Sequence, residues 1–136
     1  RMGDPECQTI LPKLKTDFMK LINACINKDL NTINLEWHND KSLCIVLCSK
    51  GYPENYKNNI EIKNLKDIKL NQNEFIFHAG TKKEKDKILS NGGRVLNFVV
   101  RSDSFLENRE RAINLINHIK WENGFFRKDI GYKVID

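Results

Sequence analysis

The sequence predicts an α+β domain: a small antiparallel β-sheet, barrel-like in outline, with helices flanking it. Three observations lead there. Residues 42–48, Ser-Leu-Cys-Ile-Val-Leu-Cys, are apolar at consecutive positions and run into Ser49-Lys50-Gly51, which reads as a strand covered on both faces. Asn91-Gly92-Gly93 separates two apolar stretches, a hairpin signal that joins strands antiparallel. Helical periodicity is confined to two flanking segments and does not alternate with the strands, so the helices belong on one side of the sheet.

Taken in order, a first helix starts near Pro5, with Asp4 as N-cap, Pro5 at the first helical position and Glu6 in the first turn. Pro12 interrupts it. Helix resumes around Thr16-Asp17, with Leu14, Phe18, Leu21, Ile22 and Cys25 at spacings of three and four. Asn27 to Asn31 closes it, a short strand is expected from Ile33 to Trp37, and His38-Asn39-Asp40 reads as a turn. After the strong strand come a long asparagine-rich connection from Glu54 to Asn73, holding a short strand at Ile60-Glu61-Ile62, and a second buried strand from Glu74 to His78. Lys82 to Lys87 reads as a lysine-rich turn and Arg94 to Arg101 as the strand returning from the Asn91-Gly92-Gly93 hairpin. Ser104 with Glu107 forms a capping-box pattern for a helix to about Ile119, its buried stripe made of Phe105, Ala112, Ile113, Ile116 and Ile119. Short strands flank Gly124 to Gly131 in the tail.

The totals narrow the function classes. A chain of 136 residues holds one domain with a real core, or one domain and part of another. No apolar run is long enough to span a bilayer. The net charge of +5 comes from scattered lysines, which suits an anionic small molecule as well as nucleic acid. Cys7, Cys25, Cys44 and Cys48 form no CxxC pair and no metal-finger spacing, so buried reduced thiols are expected.

Candidate chemistry lies in loops after strands and at the opening corner. Arg1, Gly3, Asp4 and Pro5 mix a guanidinium, a carboxylate and free backbone donors ahead of a helix, a combination that can hold an anion. In Ser49-Lys50-Gly51-Tyr52-Pro53, Lys50 is a candidate phosphate partner beside Gly51; the plainer reading is a turn with a solvated lysine. In His78-Ala79-Gly80-Thr81, backbone N–H groups and a hydroxyl can form an anion nest with His78 as a further donor; the plainer reading is a structural histidine at a strand end. Arg127 and Asp129 read as a local ion pair bracing the tail. No nucleophile with a base, phosphate-binding Walker loop or poised carboxylate pair is present.

These segments in this order resemble the C-terminal end of the phosphoribosylamine–glycine ligase family, also called glycinamide ribonucleotide synthetase. The resemblance rests on Arg1-Met2-Gly3-Asp4-Pro5-Glu6, Leu11-Pro12, Ser49-Lys50-Gly51-Tyr52-Pro53, Phe77-His78-Ala79-Gly80-Thr81, Asn91-Gly92-Gly93-Arg94-Val95-Leu96 and Arg127-Lys128-Asp129-Ile130-Gly131. It implies a cytoplasmic ATP-grasp enzyme of purine biosynthesis that joins glycine to 5-phosphoribosylamine through a glycyl phosphate, with ATP and Mg2+ in the parent enzyme. Residues 1–30 are then the edge of the ATP-grasp domain, contributing its last helix, and 31–136 the C-terminal domain. The metal ligands are expected just ahead of Arg1, with the upstream ATP-grasp lobes of the same polypeptide, so no catalytic residue, metal or cofactor is expected in this chain, which is expected to be inactive alone. By the same resemblance Arg1, Gly3, Asp4, Pro5, Lys50, Gly51, His78, Gly80 and Thr81 are the substrate-binding candidates. Met2 and Phe126 stand where the family usually has phenylalanine and tyrosine. The rival readings are another ATP-grasp ligase, or a small basic RNA-binding module using Lys82, Lys83, Lys85 and Lys87; with Phe75 and Phe77 expected in the core, no nucleic-acid or membrane partner is expected.

Overall fold

The computed structural model describes residues 2–135. Its centre is an antiparallel pair, β1 (Lys41–Ser49) and β5 (Arg94–Ser102), in register from Lys41↔Ser102 to Leu47↔Leu96. A shift between Leu47 and Cys48 then sets Cys48 opposite Arg94. β2 (Glu74–His78) adds to the outer side of β5 and β6 (Gly124–Phe125) to β1, giving the order β2-β5-β1-β6. β3 (Thr81–Glu84) and β4 (Lys87–Ser90) form a separate ribbon, tied to the connection before β2 around the Glu61↔Leu89 bridge, where the Ile62 N–H donates to the Ile88 carbonyl at 2.8 Å and the Ser90 N–H to the Ile60 carbonyl at 2.9 Å.

Strand alternation sorts the side chains into two layers. Leu43, Ile45 and Leu47 join Leu96, Phe98 and Val100 against Ala112, Leu115 and Ile116 of α3 (Phe105–His118). Asn108, fully buried, donates its amide to the Lys41 carbonyl at 3.1 Å and ties that helix to β1. Over the other face lies α1 (Glu6–Ile10), against Cys44 and its neighbours. The apolar run of β1 is therefore covered on both sides, as its composition predicts.

The capping signal at Ser104 is realised in half: its hydroxyl accepts from the Glu107 N–H at 3.4 Å, while the Glu107 carboxylate turns to Arg111. Pro12 ends α1, and the chain continues through a single 3-10 turn, Leu11–Lys13. Asp17 caps α2 (Phe18–Asn27) by accepting from the Lys20 N–H at 3.0 Å, and Lys28 closes it in the left-handed region. Among the described residues no helix is long and apolar enough to cross a membrane.

Several expectations change. Pro5 precedes the first helical residue, and the Asp4 carboxylate accepts from the Gln8 amide at 2.8 Å, so no side chain caps that helix. Ile33 to Trp37 makes one bridge, Leu14↔Trp37, rather than a strand, because nothing extends the pairing. Asn91-Gly92-Gly93 is not a hairpin: it links β4 to β5, which lie in different sheets, and the turn falls at Lys85-Asp86 with Lys85 at φ 53°. Lys82 to Lys87 therefore spans a strand pair. β2 is an edge strand, and Phe77 and His78 at its end are exposed. No residue of the stripe expected on α2 is buried; the helix buries Ala24 instead, with Leu21 and Ile22 half-buried and Phe18 and Cys25 exposed. In α3, Asn108 and Leu115 belong to the buried set, whereas Phe105, Ile113 and Ile119 are half-buried. The tail has one short strand, β6, and a 3-10 turn at Tyr132–Val134. All four cysteines are free, but only Cys48 is buried; Cys25 is exposed.

Candidate functional site

Antiparallel pairing brings three of the predicted loops to one end of the sheet. β1 and β2 end there, and β5 begins there. The loop after β2 folds back on the start of β5: Ala79 and Gly80 donate to the Val95 and Arg94 carbonyls at 3.0 and 2.9 Å. Asn91 donates in turn to the Gly80 carbonyl at 2.8 Å. Gly80 has no room for a side chain, since a β-carbon would lie 2.7 Å from the Arg94 carbonyl oxygen and 2.9 Å from the Gly92 α-carbon.

The loop after β1 locks onto the same segment. Ser49 donates through its N–H to the Gly93 carbonyl and through its hydroxyl to the Gly92 carbonyl, both at 2.7 Å. Tyr52 lays its ring against Gly93, where a β-carbon would fall 2.0 Å from the ring. Arg94 then spans the gap to the opening corner. Its Nη1 donates to the Asp4 carbonyl at 2.5 Å, its Nε lies 3.7 Å from the Asp4 carboxylate, and its guanidinium carbon sits 5.9 Å from the Tyr52 ring centroid.

Asp4 also acts on the thiols beneath α1. Burial, with the nearby Asp4 charge adding to it, pushes the Cys44 thiol up to about 12 despite a hydrogen bond from Thr9. Burial raises the Cys48 thiol too, with Arg94 opposing. Neither is poised as a nucleophile.

The predicted residues divide by position. Gly3, Asp4 and Pro5 form a compact corner: Gly3 and Pro5 accept from the Cys7 and Thr9 N–H groups at 3.0 and 3.2 Å. Arg1 lies outside the described residues. Gly80 and Thr81 stand beside this corner's anchor, but the N–H groups of Ala79, Gly80 and Thr81 are all engaged by carbonyls, so no open anion nest forms there. His78 turns to Thr81, with Nδ1 and the hydroxyl 2.8 Å apart. Lys50 leaves the sheet two strands from His78 and three residues past the position level with it. It opens instead on a groove of about 610 Å³ shared with Tyr56, Lys57 and Asn123. Gly51 takes φ 98° in a tight turn, where a β-carbon would strike the Asn55 carbonyl. Arg127 and Asp129 make the expected local pair at 2.6 Å, fully on the surface.

Arg94, Tyr52 and Gly93 hold the site together, and local sequence reasoning did not single out their roles. The available signal was the double glycine just before an arginine: glycine where no turn is needed marks a close approach. Phe75 and Phe77 were expected in the core. They stack in parallel, centroids 5.9 Å apart, on the sheet face beside α1, where Phe77 is exposed and both line an apolar groove with Cys7, Leu11 and Pro12. Among the described residues no cluster of histidine, cysteine or carboxylate side chains could hold a metal ion.

Comparison with known proteins shows which family the chain is similar to. The family model described as phosphoribosylglycinamide synthetase, C domain, matches residues 42–133. A phosphoribosylamine–glycine ligase from Caldanaerobacter subterraneus is 45% identical over 130 residues, which cover 96% of this chain and 30% of that protein. The corresponding ligase of Fusobacterium nucleatum is 42% identical over 132 residues, 96% of this chain and 31% of the relative. A crystal structure of the Thermotoga maritima ligase superposes with a TM-score of 0.70 at 26% identity, over 96% of this chain and 32% of that one. The chain thus spans about a third of the length of the relatives it matches. It belongs to the phosphoribosylglycinamide synthetase C-domain family.

Proposed function

We propose that this chain serves an ATP-dependent carbon–nitrogen ligase of purine biosynthesis, one that joins glycine to 5-phosphoribosylamine. The observation that carries the reading is the match of nearly the whole chain to proteins named for that reaction. In the reaction, the glycine carboxylate takes the terminal phosphoryl group of ATP and ADP leaves. The substrate amine then attacks the acyl carbon and phosphate leaves. Such chemistry needs the reactants oriented and water kept out. The corner Gly3-Asp4-Pro5 supplies backbone for orientation and faces the substrate, with the His78-Gly80-Thr81 loop at the same end of the sheet, while Lys50-Gly51 opens on its own groove two strands away. Arg1, outside the described residues, is a further binding candidate.

The division of labour follows from the same reading. Residues 1–30 form the edge of the ATP-binding domain, and 31–136 the C-terminal domain. Among the described residues no cluster of carboxylate, histidine or cysteine side chains is fitted to Mg2+. ATP and its metal are held by the remainder of a full-length ligase, and this chain by itself turns nothing over. The setting is the cytoplasm. A nucleic-acid role finds less support, because two of the four ribbon lysines, Lys82 and Lys87, pair with Glu84 and Glu61.

Phosphate release with glycine, ATP, Mg2+ and freshly generated 5-phosphoribosylamine tests the reading. The chain alone is run beside the chain extended to the full length of its relatives. Turnover only in the extended protein, dependent on both glycine and the amine, is expected. An inactive extended protein, or one that prefers another amine, refutes it.

A further inference from the structure

We propose that Arg94 is a positioning residue for this site: it fixes the Asp4 corner to the core of the sheet so that the corner meets the substrate in one geometry. The inference rests on the ligase reading of that corner, and its test separates the two. β5, which carries Arg94, is buried from Val95 to Arg101, the longest fully buried run among the described strands. From its first residue the guanidinium reaches the corner across 90 positions of sequence. The acceptor at 2.5 Å is the Asp4 main-chain carbonyl, so the contact fixes backbone and not only a side chain. The Asp4 carboxylate, 3.7 Å from Nε, adds charge attraction.

The corner's other hydrogen bonds are local. Gly3 and Pro5 accept from Cys7 and Thr9, and Asp4 accepts from Gln8, so these bonds tie the corner only to the five-residue helix that follows it, which has no side-chain cap. A helix that short does not hold its own place. Arg94 is in turn oriented from behind. The Tyr52 ring lies beneath the guanidinium, and Gly93 leaves the space that ring needs. Tyr52 belongs to the loop after β1, so this one arginine registers the corner to two strand ends at once. A lysine in its place keeps a charge but loses the planar fork that can face the ring while donating to the carbonyl.

Two measurements on Arg94→Met and Arg94→Lys test the inference. In the 136-residue chain, hydrogen exchange is followed at the Cys7 and Thr9 amides, with the α3 amides as reference. Arg94→Met is expected to speed exchange at Cys7 and Thr9 about tenfold, leave α3 unchanged, and be partly rescued by lysine. Unchanged protection at Cys7 and Thr9, or loss shared equally by α3, overturns the anchoring role. In the full-length ligase, Arg94→Met is expected to raise KM for glycine or 5-phosphoribosylamine about tenfold, with KM for ATP and kcat within about twofold. A fall in kcat with KM unmoved overturns the positioning role. If the wild-type full-length protein shows no turnover, the ligase reading fails, and the exchange experiment still decides whether Arg94 holds the corner.

Discussion

Replacing Arg101 with methionine should cost this domain about 3 kcal/mol. The Arg101 side chain is only 6% exposed, and its guanidinium meets Asp40, itself 16% exposed, through Nε at 3.1 Å and Nη2 at 2.8 Å. Nη1 donates to the Pro12 carbonyl as well. Methionine fills much of the same volume, so packing is largely kept and the loss is electrostatic. Removing one member of a buried pair costs roughly 3–5 kcal/mol, because the other charge is left without a partner. Asp40 keeps some contact with water, which places the cost at the lower end. Unfolding entropy of about 2.1 cal/mol/K per residue makes 3 kcal/mol worth about 10 °C in Tm for a chain of this size. Denaturant unfolding reads the free energy and thermal unfolding the Tm, both followed by far-UV circular dichroism. Adding Asp40→Asn to Arg101→Met should recover about 1.5 kcal/mol, since the stranded carboxylate is then neutral. A loss below about 1 kcal/mol in the single variant, or strict additivity in the double, would refute the account of a desolvated pair.

Other consequences can be measured on the same chain. Burial alone would push the Glu74 carboxyl up, but the Asn71 N–H at 2.7 Å and the Arg111 guanidinium at 2.9 Å outweigh it and hold it below its ordinary 4.5. A depressed folded value means its stabilisation is complete above 4.5 and is lost as pH falls through that folded value. Glu74→Gln should therefore flatten the acid side of the stability curve, and an unchanged acid side would contradict the assignment. Gly80→Ala should cost about 2 kcal/mol in denaturant unfolding, because its β-carbon meets backbone at 2.7 and 2.9 Å. Gly92→Ala, whose nearest contact is 3.1 Å, should cost less, and the reverse order would show that the loop can shift. Cys44, with its thiol near 12, should resist alkylation at pH 8 while exposed Cys25 reacts; equal labelling by peptide mass mapping would mean that α1 does not cover it.

What the sequence made legible was whatever depends on neighbours along the chain. The apolar run of β1, the returning strand β5, the break at Pro12 and the cap at Ser104 each follow from local rules, and each stands in the structure. Errors arose where one residue type serves two purposes. Asn91-Gly92-Gly93 looked like a turn, but Gly92 and Gly93 are small because Gly80 and the Tyr52 ring pack against them. The true turn, Lys85-Asp86 with Lys85 at positive φ, lies inside the Lys82–Lys87 stretch that reads as a turn, but the strands on either side of it carry no apolar alternation to mark them. Phe75-Ile76-Phe77 looked buried because apolar composition does not distinguish a central strand from an edge strand beneath a partial cover. The glycine-bearing loops at strand ends were visible as site candidates. That Gly80, Tyr52 and Asp4 converge on Arg94 was not, because register and strand order bring them together.

β5 grips the α1 segment at both ends with two arginines of different character. Arg101 takes the Pro12 end and is almost fully buried, so its contacts are strong in the folded state and costly to break. Arg94 takes the Asp4 end, where both side chains remain more than a third exposed. An ion pair in that setting is screened and contributes little to global stability. Nor does apolar burial hold this part of the chain firmly, since α1 buries no residue fully and α2 only Ala24. The Pro12 end is thus fixed by energy, and the Asp4 end by direction. A contact that adds little to unfolding free energy yet sets where a backbone carbonyl points is suited to a substrate corner, which must hold a geometry and still admit and release what it binds. The two ends should therefore respond differently: loss of Arg101 should lower Tm, whereas loss of Arg94 should leave Tm nearly unchanged and alter only exchange at the corner and substrate KM.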